Sequence, residues 1–437
     1  MDPIYELFLK YFQAEDLDGC RRLINDREFD VNHIYTPDKL KTKLQNFTTT
    51  KSDYTLNILQ LIALLGKQWS TSLIQSILEL RQGDGVDIDG VGVNGVVVIV
   101  DIDSPNKLGY TALMMAACYS NDTSSLQTVE LLIRAGAKLD LQCKAGFTAL
   151  IFATQYSKTT SSLQTVETLI SAGANLDLQN NNGSTALMFA SESSNDTSSI
   201  ETVELLIHTG AKLDLINKYG YTALIYASWL SNTTSSLETV ATLICADAEL
   251  DILYKDGWTA LMHAARFSND TSSIQTVELL IRAGAKLDLQ EAIGWTALMC
   301  ASRYSKTTSS LETVELLIGA GANLNLLNFE GGTALYEASK YSNKTSSLET
   351  VELLIRSGAE LDLQYKCGWT ALMAASYYSR TNSSLETVEL LIRAGAKLDL
   401  QTKEGSTALL LAARNSGTGS SLQTVATLIN AGANINI

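Results

Sequence analysis

Acidic residues recur in this sequence at a fixed interval: Asp140, Asp177, Asp214, Asp251 and Asp288, then, after one gap, Asp362 and Asp399. Seven carboxylates on a regular ladder are the first candidate for chemistry, because clustered oxygens hold hard cations. The interval argues against it. Rungs carried on successive helix pairs stand on the order of 10 Å apart, whereas a calcium ion gathers its oxygens at about 2.3 to 2.6 Å. These are expected to be turn-stabilising carboxylates. His33, His208 and His263 are the only histidines and fall at unrelated places, so neither a nucleophile–base triad nor a zinc site is indicated. They read as surface or core filler. Cys20, Cys118, Cys143, Cys245, Cys300 and Cys367 form no CxxC pair and read as small hydrophobes or surface thiols in reducing, intracellular surroundings. There is no phosphate loop and no nucleophile elbow. The expectation is a non-enzyme with no catalytic residues, no cofactor and no metal.

Composition narrows the partner. A formal charge of -15 over 437 residues opposes a broad contact with nucleic acid or an anionic membrane. The longest apolar runs, such as "GVVVIV", are far shorter than the roughly 20 residues that span a bilayer, and the acidic start "MDPIYELFLKYFQAED" has no basic leader pattern. Neither nucleic acid nor membrane is expected as a partner, and the expected location is the cytoplasm.

The elements that position these residues are set by a repeat. The Thr of "TAL" falls at 111, 148, 185, 222, 259, 296, 333, 370 and 407, nine copies without a slip. Such a constant period is the mark of a stacked array. Each unit opens with Gly-x-Thr and a short apolar helix pattern, for example "TALMMAACY"; a run such as "SNDTSS" follows, and then "SSLQTVELLIRAG", whose Leu126, Val129, Leu132 and Ile133 make one apolar face. Pairs such as Ser124 with Gln127, Ser198 with Glu201 and Ser383 with Glu386 predict a capping box at the start of this second helix. A Gly such as Gly136 predicts a left-handed end, with Asp247 the single replacement. About nine residues remain between units, enough for an extended arm and a turn.

Over residues 109–437 these patterns resemble the ankyrin-repeat family. The matching residues are "GWTALMHAA" (257–265), "LETVELLI" (311–318) and "AGANLNL" (320–326). The resemblance implies an all-α solenoid of helix-loop-helix units joined by short β-hairpin fingers. Units of that family run to about 33 residues, and the extra residues here lie in the serine-rich turn, a feature that resembles the expanded ankyrin paralogues of large DNA viruses. For such a source the location would be the host cytoplasm. Segment 1–34 reads as a degenerate capping repeat and 35–83 as a loop plus a second degenerate repeat. Segment 84–108, with Asn94-Gly95 between β-branched residues, predicts one enlarged hairpin.

Comparing the units with one another locates a candidate surface. Scaffold positions barely change, but the residue between Gly and Thr, and the fifth and eighth counted from Thr, vary widely and are rich in aromatics and Arg, the types favoured in interface centres. In the family the fingers and first helices line a concave partner-binding groove. The resemblance therefore implies a scaffold that binds a partner protein through Tyr221, Trp229, Tyr254, Trp258, Arg266, Trp295, Arg303 and Trp369. The alternative for these rings is packing on neighbouring fingers. The alternatives for the protein are end-to-end self-association of what is otherwise expected to be a monomer, or an adaptor that recruits substrates.

Overall fold

In the computed structural model, residues 102–253 and 257–436 are described, together with the backbone of four two- or three-residue strands nearer the N-terminus. The expected capping repeat (1–34), the 35–83 segment and Tyr254 lie outside the described residues, apart from those strands. The chain forms two compact units, Met1–Asn217 and Lys218–Ile437.

In the first unit, β1 (Ile34–Tyr35) pairs antiparallel with β2 (Leu56–Asn57). Likewise β3 (Val91–Val93) pairs with β4 (Val96–Val98), Val93 opposite Val96, so Asn94 and Gly95 separate the partners in sequence. Six helices follow, from Ala112–Cys118 to Ile200–His208. The second unit holds twelve, from Ala223–Leu230 to Leu422–Asn430. All eighteen alternate between a first helix of seven or eight residues and a second of nine.

The first helix starts where the sequence makes it start. Thr111 is extended (φ -90°, ψ 168°) and its hydroxyl accepts the Met114 N–H at 3.3 Å, a bond repeated at the Thr of every Gly-x-Thr. Ala112, Leu113, Met114, Ala116 and Ala117 are buried, and the alanines let neighbouring first helices approach closely. The second helix caps one residue later than expected. Ser125, not Ser124, is the N-cap: its hydroxyl accepts the Thr128 N–H at 3.2 Å and shares a hydrogen bond with the Thr128 hydroxyl at 3.0 Å. The expected Ser–Gln or Ser–Glu box is thus a Ser–Thr cap, and in the later units the first serine of the pair, such as Ser161 or Ser309, bonds to the neighbouring repeat instead. At the other end Gly136 (φ 87°) lets Ala137 N–H reach Leu132 O at 3.0 Å, and Asp247 adopts the same left-handed turn at φ 63°.

The first serines, with the serine that ends each first helix, build a buried ladder. Ser268 shares hydrogen bonds with Ser309 (3.3 Å) and Thr313 (2.6 Å) of the next repeat, while Ser309 donates to Ala265 O at 2.7 Å. Ser305 and Ser342 repeat the arrangement with their own next repeats. Beside it the turns bond backbone to backbone: Asn269 N–H donates to Thr308 O, and Lys306 N–H to Thr345 O. The "SNDTSS" run is therefore a stitched seam between repeats. Its length is needed to carry both sets of bonds.

The fingers are turns. From residue 102 to 436 no described residue is in a strand, so the short β-hairpin ladders expected there are replaced by tight turns built on side chains. Asn180 Oδ1 accepts both Asn182 N–H and Ser184 N–H at 2.9 Å. Each turn then hangs on the next: Gln142 Nε2 donates to Gly146 O (2.8 Å) and to Gln179 O of the following finger (2.9 Å). The aspartate ladder does the same for the arms. Asp177 Oδ1 accepts Lys212 N–H, and Asp251 Oδ1 accepts Lys286 N–H, at 2.9 and 3.0 Å.

Candidate functional site

In the second unit the columns picked out by internal comparison meet around His263. Its ring is 6% exposed and lies 5.4 Å from Tyr221, 5.3 Å from Trp229 and 5.1 Å from Trp258. Burial, and then the positive charge of Arg266, push its pKa down to about 3, so the imidazole is neutral. Tyr219, Tyr221, Trp229, Trp258, Arg266 and Phe267 complete with it a pocket of ≈ 260 Å³. The candidate residues Tyr221, Trp229, Trp258 and Arg266 thus share one site, each half-buried.

From the pocket a run of alternating cations and rings crosses four repeats. The Arg266 guanidinium stands 5.3 Å from Trp258, 5.2 Å from Phe267 and 4.5 Å from Tyr304 of the next repeat. Arg303 is set in the same way, 5.2 Å from Trp295, 5.5 Å from Tyr304 and 4.2 Å from Tyr341. Lys340 follows, 5.3 Å from Tyr341 and 5.7 Å from Tyr378. Tyr377 then links Tyr378 (4.7 Å) to Trp369 (5.2 Å). Each cation–ring contact contributes about 0.5 to 2 kcal/mol, more when desolvated.

Arg303 differs from Arg266 in one respect: its Nη1 donates to Glu337 Oε2 at 2.9 Å in a largely buried ion pair. Burial raises the Glu337 pKa, and Arg303 works in the opposite direction. The ladder also ties one repeat to the next, since Arg266 and Arg303 each stand over a tyrosine of the following repeat.

Two sets of residues escaped the sequence reading. One is the ninth position from each Thr, occupied by Phe267, Tyr304, Tyr341 and Tyr378, which supplies the ring against each cation. It is aromatic in six of the nine units, Ser193, Leu230 and Asn415 being the exceptions, so it varies less than the eighth position beside it. The other is the finger tips. Tyr219, Ile293 and Phe329 are 57%, 59% and 56% exposed, and Leu253 and Leu327 are exposed as well. Leu253 and Leu327 stand where Gln142, Gln179, Gln290 and Gln364 make the cross-finger bonds. At these two fingers the tie is given up for an exposed apolar side chain, and substitution within a regular Gln column was the available signal.

The first unit carries the same columns without the cations. Phe147 stacks on Phe152 at 5.1 Å and meets Phe189 at a tilt at 5.2 Å, and burial pushes the Cys118 thiol up to about 12, which makes it a poor nucleophile. Among the described residues no group of three or more His, Cys, Asp or Glu side chains converges on a point, and no helix is long and apolar enough to cross a membrane.

A family model described as ankyrin repeats (3 copies) matches the chain at residues 80–174, 156–252, 231–328, 270–354, 305–379 and 335–437. No curated protein matches it.

Proposed function

The chain belongs to the ankyrin-repeat family, whose repeats are generally protein–protein interaction modules, and from that premise we propose that it is a non-enzymatic scaffold that binds a partner protein. The binding face is the finger and first-helix surface of the second unit. The observation that carries this reading is the row of exposed finger-tip residues Tyr219, Leu253, Ile293, Leu327 and Phe329 beside the half-buried Trp258 and Trp295. A soluble chain leaves single apolar residues exposed without cost to explain, but a series of large ones beside aromatic rings marks a contact surface. Trp258, Trp295, Arg266 and Tyr221 serve as its anchors. Arg303 and Trp369 brace them.

Capture from cell lysate with the wild type beside a Trp258→Ala/Trp295→Ala/Ile293→Ser variant tests the assignment, with circular dichroism confirming that helicity is kept. The variant is expected to recover the specific partner at less than a tenth of the wild-type yield. Equal yields of the same partners would place the binding face elsewhere.

A second reading, assembly by end-to-end association, rests on one observation. On the last repeat Leu410, Leu422, Ile429 and Ile435 are all exposed, although Leu410 stands in a column, Met114 to Met373, that is otherwise buried against the neighbouring helices.

A further inference from the structure

We propose that the pocket around Arg266 receives a carboxylate side chain, Asp or Glu, of the partner polypeptide. This rests on the finger-surface reading above and deepens it by naming the chemistry of one anchor.

The molecule contains its own template. Arg266 and Arg303 occupy the same place in successive repeats and are braced alike, by a Trp of their own repeat and a Tyr of the next. Arg303 is answered by Glu337 at 2.9 Å. One repeat earlier, the position equivalent to Glu337 is Cys300, a buried thiol whose pKa burial pushes up to about 12, so it brings no negative charge. Glu291 of that same repeat is committed to Trp295 N–H at 3.0 Å. Arg266 has no ion pair among the described residues, and its Nε is buried without a hydrogen-bond partner. Two further donors in the pocket share that condition: the Trp229 indole Nε1, and the single N–H of the neutral His263, neither of whose ring nitrogens has a partner and which is itself more than nine-tenths buried.

Unanswered buried polar groups are costly, and what these three lack is an acceptor. A neutral His263 offers one N–H, Trp229 another, and Arg266 a full positive charge. A carboxylate satisfies all three, and an amide of the same shape leaves the charge unpaired. Aromatic walls lower the local dielectric and strengthen the pair. The pocket's ≈ 260 Å³ is below the roughly 300 to 1,000 Å³ of small-molecule sites, which suits a single side chain.

The test uses random dodecamer peptides displayed on phage and selected against the full chain, with enriched sequences then resynthesised with amidated C-termini. An acidic residue is expected at a fixed place in them. Its replacement by Gln or Asn should weaken binding at least tenfold to the wild type and less than twofold to Arg266→Gln. Cys300→Glu, which gives Arg266 the internal carboxylate that Arg303 already has, should weaken the acidic peptide by a similar factor. Should Cys300→Glu lose its helical signal, the coupling between the peptide acid and Arg266 decides alone. Equal binding of the acid and amide peptides, a requirement for a free C-terminus instead, or no coupling to Arg266 overturns the inference. Peptides that fall off with Trp295→Ala yet ignore the acid would overturn the carboxylate while leaving the finger surface standing. No enrichment, or binding indifferent to Trp258, Trp295 and Arg266, would overturn both.

Discussion

His263 shows how one column is filled differently along the array. The same place holds Phe152, Phe189, Tyr226, Cys300 and Glu337 in other repeats, and here it holds a neutral imidazole among three rings. The sequence suggested no triad or zinc role for this residue and left open whether it lay on the surface or in the core; only packing places it inside. Its pKa is depressed on folding, from 6.5 to about 3, so the unfolded chain takes up a proton that the folded chain refuses. The stability it contributes is fully present above pH 6.5 and is lost as pH falls towards 3, at about 1.4 kcal/mol per pH unit. His263→Phe, which borrows the residue of the same column two and three repeats earlier, removes that slope. Denaturant titrations at pH 6.5 and 5.0 should show the wild type losing about 2 kcal/mol more than the variant. Parallel losses would mean that His263 is protonated in the fold.

At the scale of the element, two glycine columns do different work. Gly173 closes a second helix at φ 95° with nothing within 4 Å of where a Cβ would stand, so only backbone conformation requires it. Gly146, in a finger, would carry a Cβ 2.5 Å from Asn181 N of the next finger, so close approach requires it too. Gly173→Ala is expected to cost about 1 to 2 kcal/mol, and Gly146→Ala about 1 to 3 kcal/mol more, as read from chemical denaturation. Similar losses at both would argue that the fingers are not closely stacked. The helices themselves were legible in the sequence, since apolar spacing and Thr, Ser and Gly signals are local. The capping serine was misplaced by one because two adjacent serines such as Ser309 and Ser310 look alike until the neighbouring repeat claims the first. The hairpin fingers were what the resemblance implied, whereas Asn180 builds a tight turn within its own finger and Gln142 ties its turn to the next.

Across the whole molecule, uneven use of one repeat is what points to function. The first unit fills its columns with plain rings, and the second fills them with cations, Trp and exposed finger tips. The expected state is a monomer that offers this face to a partner. Sedimentation equilibrium between about 1 and 100 µM should give one molecular mass, unchanged by Leu422→Lys/Ile435→Lys. A mass that rises with concentration in the wild type and not in the variant would move the protein to the assembly reading.

The period, the helix pairs and the family were determined by the sequence alone, because each depends on spacing within one repeat or on recurrence between repeats. The tertiary structure decided which columns touch. Arg266 reaches Tyr304, Arg303 reaches Glu337 and Ser268 reaches Thr313, and each of these contacts joins neighbouring repeats. Their geometry follows from how far one repeat is offset on the next, which is set by the close packing of alanine-faced helices, and a linear period carries no record of that offset.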